Sequence, residues 1–340
     1  MRRLLFICFL FFPFLAQSQR YDLIPLNAET SASFRGMSIV SEEVAWVSGS
    51  GGTIGRTVDG GKTWDWIKAK GYENLDFRDI EAFSADKAIM VNAGSPAYIL
   101  VTEDAGKTWK ESYKNLDTAI FLDGMDFWDN SRGIAFGDPI NSKMQLLRTL
   151  DGGRSWNDIS ATLQAKMGIG EASFAASGTT IRTLGEGKVW IATGGVVSNI
   201  YYSSNFGSTW QVAPCPILQG EASTGPFSID FWNEKTGVAV GGDYTKDKEN
   251  TNNVLLTHDG GQSWVKPVKP VAGFRSGVIY VTDQVLLATG TSGTDVSNDG
   301  GKNWHNISDL SFNVLKKSRE GKLILLAGNK GQIYKLEIAK

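Results

Sequence analysis

The chain has 340 residues, a formal net charge of −2 and two histidines, His258 and His305. A sequence without a basic surplus is a poor general nucleic-acid binder, because it has few cations with which to displace the counterions of a phosphate backbone. Two histidines, both in or beside predicted turns, make a Ser-His-Asp triad or a histidine metal site unexpected. With no dinucleotide fingerprint either, we expect no metal, no cofactor and no nucleic-acid partner.

Residues 1–18 have the pattern of an export signal. Arg2 and Arg3 precede an almost unbroken apolar run over residues 4–15, and small residues follow at 16–18. We predict a mature chain of residues 19–340 that is periplasmic or secreted and has no membrane span. Cleavage takes the net charge from −2 to −4 and removes Cys8, so Cys215 has no disulfide partner and stability must come from a large core.

The first repeating unit predicts four strands, at 33–40, 43–49, 53–58 and 63–68. A turn joins the third strand to the fourth, and its pattern S/T-x-D/N-x-G-x-S/T-W recurs in six copies, with Asn303 in place of the second hydroxyl residue in the last one. The copies are TVDGGKTW (57–64), TEDAGKTW (102–109), TLDGGRSW (149–156), SSNFGSTW (203–210), THDGGQSW (257–264) and SNDGGKNW (297–304). The acidic or amide residue can accept bonds from the amides ahead of it and so tighten the turn. These residues are Asp59, Asp104, Asp151, Asn205, Asp259 and Asp299.

The tryptophans that end the six copies are 45, 47, 54, 54 and 40 residues apart. That period is typical of a four-stranded propeller blade. A seventh unit without the turn has three predicted strands, at 312–318, 322–328 and 332–338, and then the chain stops. We predict an all-β, seven-bladed propeller whose last blade is completed by the N-terminal segment 21–26, which removes the exposed strand edges.

The repeated turn resembles the Asp-box of the BNR-repeat propellers, which include sialidases and the photosystem II assembly/stability factors. The resemblance covers essentially the whole predicted mature chain. In that superfamily the Asp-boxes lie at the outer turns of the blades, away from the active site. It therefore implies a structural role for the six box residues and leaves the function open.

Propeller geometry puts the box turns on one face and the long, varied loops on the opposite face, where we expect the functional site. The pairs Phe34-Arg35, Phe77-Arg78 and Phe274-Arg275 begin the first strands of neighbouring blades. They predict an arginine cluster at the channel mouth, suited to a carboxylate or phosphate. Structural ion pairs between blades would explain the same arginines.

Acidic residues fall on the rest of that mouth. Asp123 stands in blade three where blade one has Arg35, and Asp138 and Asp243 follow the second strands of blades three and five. A duplicated GEAS, at 170–173 and 220–223, adds Glu171 and Glu221. We interpret these residues as a second charged arc, although repeat ancestry alone would also explain the duplication.

Two functions from different classes remain open. By resemblance to the assembly factors, we expect a non-catalytic module that binds a partner protein or anionic ligand, with Arg35, Arg78 and Arg275 as the residues that grip it. The charge pattern adds Asp123 and Glu221 as candidate binding residues. The alternative is a sialidase-like glycoside hydrolase using Asp138, Glu171 and Asp243, since hydrolysis generally needs two carboxylates at a defined separation. Met37 replaces the proline of the sialidase Phe-Arg-x-Pro motif, and no tyrosine stands out as nucleophile.

Overall fold

The computed structural model describes residues 19–339, so the predicted signal peptide lies outside the described residues. The strands, in chain order, are β1 (Arg20–Leu26), β2 (Phe34–Ile39), β3 (Ala45–Gly49), β4 (Thr53–Thr57), β5 (Asp65–Lys68), β6 (Phe77–Ala82), β7 (Ala88–Asn92), β8 (Ala97–Thr102), β9 (Lys110–Asn115), β10 (Leu122–Phe127), β11 (Gly133–Ile140), β12 (Lys143–Thr149), β13 (Asn157–Asp158), β14 (Glu171–Ala172), β15 (Ile181–Leu184), β16 (Lys188–Ala192), β17 (Gly194–Gly195), β18 (Asn199–Ser203), β19 (Gln211–Pro214), β20 (Thr224–Phe231), β21 (Gly237–Asp243), β22 (Val254–Thr257), β23 (Gly277–Tyr280), β24 (Leu286–Gly290), β25 (Gly293–Ser297), β26 (His305–Ser308), β27 (Val314–Lys317), β28 (Ile324–Ala327) and β29 (Ile333–Ala339). One short 3-10 helix spans Ser160–Thr162.

Seven antiparallel sheets form the blades of a propeller, which confirms the predicted fold. Blades one to three are β2–β5, β6–β9 and β10–β13, and blade four is β15, β16, β18 and β19. Blade five is β20–β22, blade six is β23–β26, and blade seven is β27–β29 with β1. A two-stranded ladder of β14 and β17 stands beside blade four.

The hydrophobic cores lie between adjacent blades. Between blades one and two, for example, Trp46 and Ile54 pack with Ile80 and Met90, and all four side chains are fully buried. The Trp46 indole also donates its N–H to the Ser84 carbonyl of blade two, 3.0 Å away. Such interfaces recur around the ring and supply the large core that a chain without a disulfide needs.

The N-terminal strand closes the ring, as predicted. Strand β1 pairs antiparallel with β29 over seven residues, from Arg20 opposite Ala339 to Leu26 opposite Ile333. Leu26 packs against the core shared by blades seven and one. Blade seven is therefore built from the two ends of the described chain, and β1 covers the outer edge of β29.

The six box turns share one hydrogen-bond pattern. In the first, the Thr57 hydroxyl donates to Asp59 Oδ1 at 2.8 Å and accepts from the Gly61 amide at 3.0 Å. Asp59 also accepts from the Thr63 amide and hydroxyl, at 2.9 and 2.6 Å. Asn205 repeats the amide bond in the fourth copy. The acidic or amide residue thus ties the turn to itself.

We expect the free energy of unfolding to fall as the pH drops from about 4 to about 2. Hydrogen bonds from Thr63 hold the pKa of Asp59 at about 2, and those from Ser263 do the same for Asp259, against an ordinary value of 3.8. The folded state favours the ionised carboxylate, so each of these residues adds its full stabilisation above its pKa in the unfolded chain. That stabilisation is lost as the pH falls through the pKa of the folded state. Chemical denaturation at pH 5, 4, 3 and 2 measures it.

The variant Asp59→Asn is the internal control for this prediction, since it copies the natural turn at Asn205. Its first turn no longer titrates, so its stability should fall less steeply below pH 4 than that of the wild type. Parallel pH profiles for the two proteins would contradict the assignment.

Blade five departs locally from the predicted four strands. After β22 the chain makes one bridge, Val265 with Leu256, and then passes through Pro267 and Pro270. A proline has no N–H to donate to a ladder, so a regular fourth strand does not form. Lys269 instead bridges to Asn303 in the box turn of blade six.

Polar side chains join the inner strands of neighbouring blades. Each accepts a hydrogen bond from a backbone amide of the next blade: Ser38 from Ala82 (3.0 Å), Asp79 from Met125 (2.8 Å), Asp126 from Thr183 (2.6 Å) and Asp230 from Tyr280 (2.7 Å). The carboxylates among them serve to join neighbouring blades. Each supplies a hydrogen-bond acceptor to a backbone amide that needs a partner inside the ring.

Candidate functional site

The box turns lie on one face of the propeller and the loops that join successive blades lie on the opposite face, as propeller geometry requires. Each box turn is bonded to the link between the first two strands of its blade, as Gly60 N is to Glu43 O at 2.9 Å. The other end of the channel, which we call the connector face, carries the loops that join one blade to the next. A cleft of about 360 Å³ opens there, lined by Arg35 and Arg78 on one side and by aromatic residues on the other.

Residues 174–179, which we call the plug, cross the channel at the connector face. They belong to the connector from blade three to blade four, yet they reach blades on both sides of the ring. The Ser177 hydroxyl donates to the Ser276 carbonyl of blade six at 2.6 Å, and the Thr179 hydroxyl to Ser228 of blade five at 2.7 Å. The plug forms the floor of the cleft.

Arg35 and Arg78 lie side by side above the plug. Arg35 Nη1 donates to the Ala176 carbonyl at 3.2 Å, and Arg78 Nη1 to the Ala175 carbonyl at 3.4 Å. Arg78 Nε is also paired with Asp76, 2.8 Å away. Burial, followed by the positive charge of Arg78, lowers the pKa of Arg35, and Asp76 opposes this.

Only one of the two guanidinium groups, that of Arg78, is paired with a carboxylate. Within residues 19–339, no Asp or Glu oxygen lies within 4.0 Å of the Arg35 guanidinium. Arg35 and Arg78 together therefore carry more positive charge than Asp76 neutralises, in a cleft that remains partly open. A carboxylate or phosphate suits such a site, because the planar fork of arginine bonds two oxygens at once.

Arg275 does not join this pair. Its side chain is fully buried inside blade six, where Nη2 and Nε lie 2.5 and 2.7 Å from Asp295 Oδ2. Nη1 donates to the Phe274 carbonyl and to the Ser292 hydroxyl. The physical reason is local: two residues before the box hydroxyl, blade six has Asp295, where blades one and two have Gly55 and Leu100. An acidic residue at position 295 was therefore the one sequence signal that could have predicted a buried Arg275.

Asp123 and Asp138 lie close to the arginine pair. Asp123 is buried, and burial, followed by the negative charge of Asp138, raises its pKa well above the usual range, while Arg78 opposes this. Burial also raises the pKa of Asp138, whose Oδ1 accepts from the Ser173 amide at 2.9 Å. The acidic residues are thus neighbours of Arg78 beside the plug.

Glu171 is buried and saturated with hydrogen bonds. It accepts from the amide of Gly168 (2.7 Å), the side-chain amide of Asn199 (3.0 Å), and the hydroxyls of Tyr201 (2.9 Å) and Thr193. These contacts fix the connector against blade four. A carboxylate with its lone pairs so committed has little capacity left for a ligand.

The remaining acidic residues lie towards blade five. The Glu221 side chain is exposed, and its backbone carbonyl accepts from the Thr224 hydroxyl at 2.8 Å. Asp243 accepts from the amide and hydroxyl of Thr245, at 2.9 and 2.7 Å. Burial opposes its ionisation, but these bonds outweigh that effect and hold the pKa of Asp243 below its usual value. Catalysis by Asp138, Glu171 and Asp243 stays a prediction.

Sequence reasoning missed the aromatic wall of the cleft. Phe174 stacks on Phe227 with ring centroids 4.0 Å apart, and Phe274 and Tyr244 contact Phe227 edge-on at 4.8 and 6.0 Å. These rings come from the plug connector, from blade five and from the connector to blade six. The sequence singles out Phe274, because it belongs to a repeated Phe-Arg pair, but nothing in the repeat pattern marks Phe174 or Tyr244.

Over residues 19–339, no cluster of three or more His, Cys, Asp or Glu side chains is arranged to hold a metal ion. The same part of the chain contains no helix that is long and apolar enough to cross a bilayer.

Seven antiparallel blades around a plugged channel define a seven-bladed β-propeller. Residues 15–118 match the family model described as photosynthesis system II assembly factor YCF48. The chain is an Asp-box propeller that resembles the photosystem II assembly/stability factor-like family.

Individual relatives agree with that assignment. The photosystem II assembly lipoprotein Ycf48 of Synechococcus sp. (strain CC9902) is 21% identical over 278 residues, which are 70% of this chain and 76% of the relative. The solved structure of YCF48 bound to D1 peptide is 16% identical and superposes with a TM-score of 0.65, covering 93% of this chain and 94% of that one. YCF48 from Cyanidioschyzon merolae is 17% identical, with a TM-score of 0.64 and coverages of 93% and 98%. At these identities the structural likeness shows the fold.

Proposed function

We propose that this protein is an exported, non-catalytic binding module that holds a segment of a partner polypeptide on its connector face, in an assembly or scaffold role. One observation carries the proposal: two neighbouring guanidinium groups, Arg35 and Arg78, line a cleft of about 360 Å³ and share a single paired carboxylate, Asp76. A carboxylate of the partner would supply the missing acceptor oxygens. The relative named as a lipoprotein supports export, and the YCF48 structure with a bound peptide supports a polypeptide as the partner.

The experiment compares the wild type with the double variant Arg35→Gln/Arg78→Gln. Each mature protein is immobilised and exposed to the native envelope fraction, and the retained polypeptides are identified. We expect at least a tenfold loss of the specific partner from the double variant, because charge-assisted bonds to a carboxylate are lost while the glutamines keep much of the side-chain volume.

Arg154→Gln is the matched control, since Arg154 is an exposed arginine in a box turn on the other face. It should retain the partner as the wild type does, and both variants should unfold at the wild-type denaturant concentration. Equal recovery by the double variant and the wild type would exclude the arginine pair as the partner site.

A further inference from the structure

The aromatic residues of the cleft form a cluster apart from the blade cores. Phe227 and Phe274 are buried and pack with Ala176 of the plug, and Phe174 lies partly exposed against them. Each core between neighbouring blades is a separate set of residues, as in the set that contains Trp46. The cluster is therefore not needed to join two blades, and it faces the cleft rather than a blade interface.

The outer wall of the cluster is exposed. Tyr244 leaves 52% of its surface to solvent at the start of the polar loop of blade five, while it contacts the edge of Phe227. Phe174 and Tyr244 thus flank an opening whose base is Phe227. An apolar side chain entering there would be covered on several sides, and aromatic rings favour an aromatic occupant by stacking and edge contacts.

The cationic and aromatic halves of the cleft are joined by the plug at a fixed distance. Arg78 and Arg35 donate to the carbonyls of Ala175 and Ala176, the two residues that follow Phe174. Consecutive Cα atoms are about 3.8 Å apart, so the two halves are separated by about the length of one or two residues. Gly194 and Gly225 leave the space that the Phe174 ring occupies, because a Cβ on either would lie within 3.0 Å of that ring.

We propose that the cleft is a two-part site that reads a carboxylate together with an aromatic side chain one or two residues away in the bound peptide. This inference rests on the proposed function and specifies which peptide sequences the cleft selects. The carboxylate pairs with Arg35 and Arg78, and the aromatic side chain enters between Phe174 and Tyr244. The carboxylate can come from an acidic side chain or from a chain terminus, which present the same oxygens to an arginine.

Isothermal titration of the mature protein with short synthetic peptides tests the inference. The first probe is Gly-Ser-Phe-Glu-Gly-Ser, acetylated and amidated, and the second replaces Phe with Gly. The third replaces Glu with Gln, and a fourth, acetyl-Gly-Ser-Phe-Gly with a free carboxyl end, supplies the carboxylate from the terminus, one residue after the Phe. We expect the first or the fourth to bind at least tenfold more tightly than the second and the third. A stronger first probe identifies a side-chain carboxylate, and a stronger fourth identifies a terminal one.

Variants separate the two halves of the site. Tyr244→Ala should reduce the preference for Phe over Gly to threefold or less, while it keeps the preference for Glu over Gln. Trp232→Ala, which removes an aromatic residue that is 45% exposed outside the cleft, is the control and should change neither preference.

The outcomes distinguish this inference from the proposed function. Equal binding of the Phe and Gly probes, with both lost in Arg35→Gln/Arg78→Gln, would overturn the aromatic part and keep the arginine site. Failure of every carboxylate probe to bind the wild type would overturn the two-part site. If the envelope partner were still recovered through the arginine pair in that case, the proposed function would stand without it.

Discussion

Replacing Arg275 by alanine is expected to lower the free energy of unfolding by about 3–5 kcal/mol, because it leaves a buried carboxylate without its partner. Asp295 is 1% exposed, and its Oδ2 receives both Nε and Nη2 of Arg275. The substitution also removes the donors to the Phe274 carbonyl and the Ser292 hydroxyl. Urea denaturation followed by tryptophan fluorescence measures the loss.

Arg78→Ala is the matched control, since Arg78 begins its strand in the same Phe-Arg context but keeps 34% of its side chain exposed. This substitution should lower the free energy of unfolding by less than about 1 kcal/mol, as is usual for a partly exposed ion pair. The double variant Arg275→Met/Asp295→Leu removes both charges and should recover much of the stability. A loss below 1 kcal/mol for Arg275→Ala would show that the buried pair is not structural, and would return Arg275 to the candidate binding residues.

Deleting residues 19–26 from a protein of residues 19–340 is expected to destabilise the ring by on the order of 5 kcal/mol, at about 1 kcal/mol for each lost backbone hydrogen bond. The deletion takes away all seven residue pairs with β29. It also removes Leu23 from the core of blades six and seven and Leu26 from that of blades seven and one. The uncovered edge of β29 should in addition promote aggregation.

Adding the missing strand back as a separate peptide of residues 19–30 provides the decisive measurement. The peptide should bind the shortened protein and raise its melting temperature in a concentration-dependent way. A peptide with Leu23→Asp should fail, while Ile24→Ala, at a position 38% exposed, should still work. Wild-type stability in the shortened protein would contradict the closure role of β1.

Most of the fold could be predicted because its signals are local and repeated. The box turn needs its hydroxyl, acid, glycine and tryptophan at fixed offsets, so six copies mark six blades. The closing strand followed from a count of strands, since the last unit lacked one. Blade five was missed in part, although Pro267 and Pro270 in the expected fourth strand already argued against a regular ladder.

The site was less predictable, because its contacts join residues far apart in the chain. Arg35, Arg78 and Arg275 have the same local context, and the presence of Asp295 in a different strand decides which of them is buried. The plug contacts depend on how a connector from blade three crosses the ring to reach Ser276, 99 residues away. No periodicity in the sequence encodes such a path, and the aromatic cluster built around Phe174 depends on it.

The contacts of the plug carry a consequence for how tightly any partner can be held. Two backbone carbonyls of this segment already occupy one donor on each arginine of the cleft. A guanidinium has five N–H donors, so each arginine keeps donors for a ligand while the bond to the plug holds its side chain in position. The proposed carboxylate would therefore meet two side chains that are already oriented, and less conformational entropy would be lost on binding.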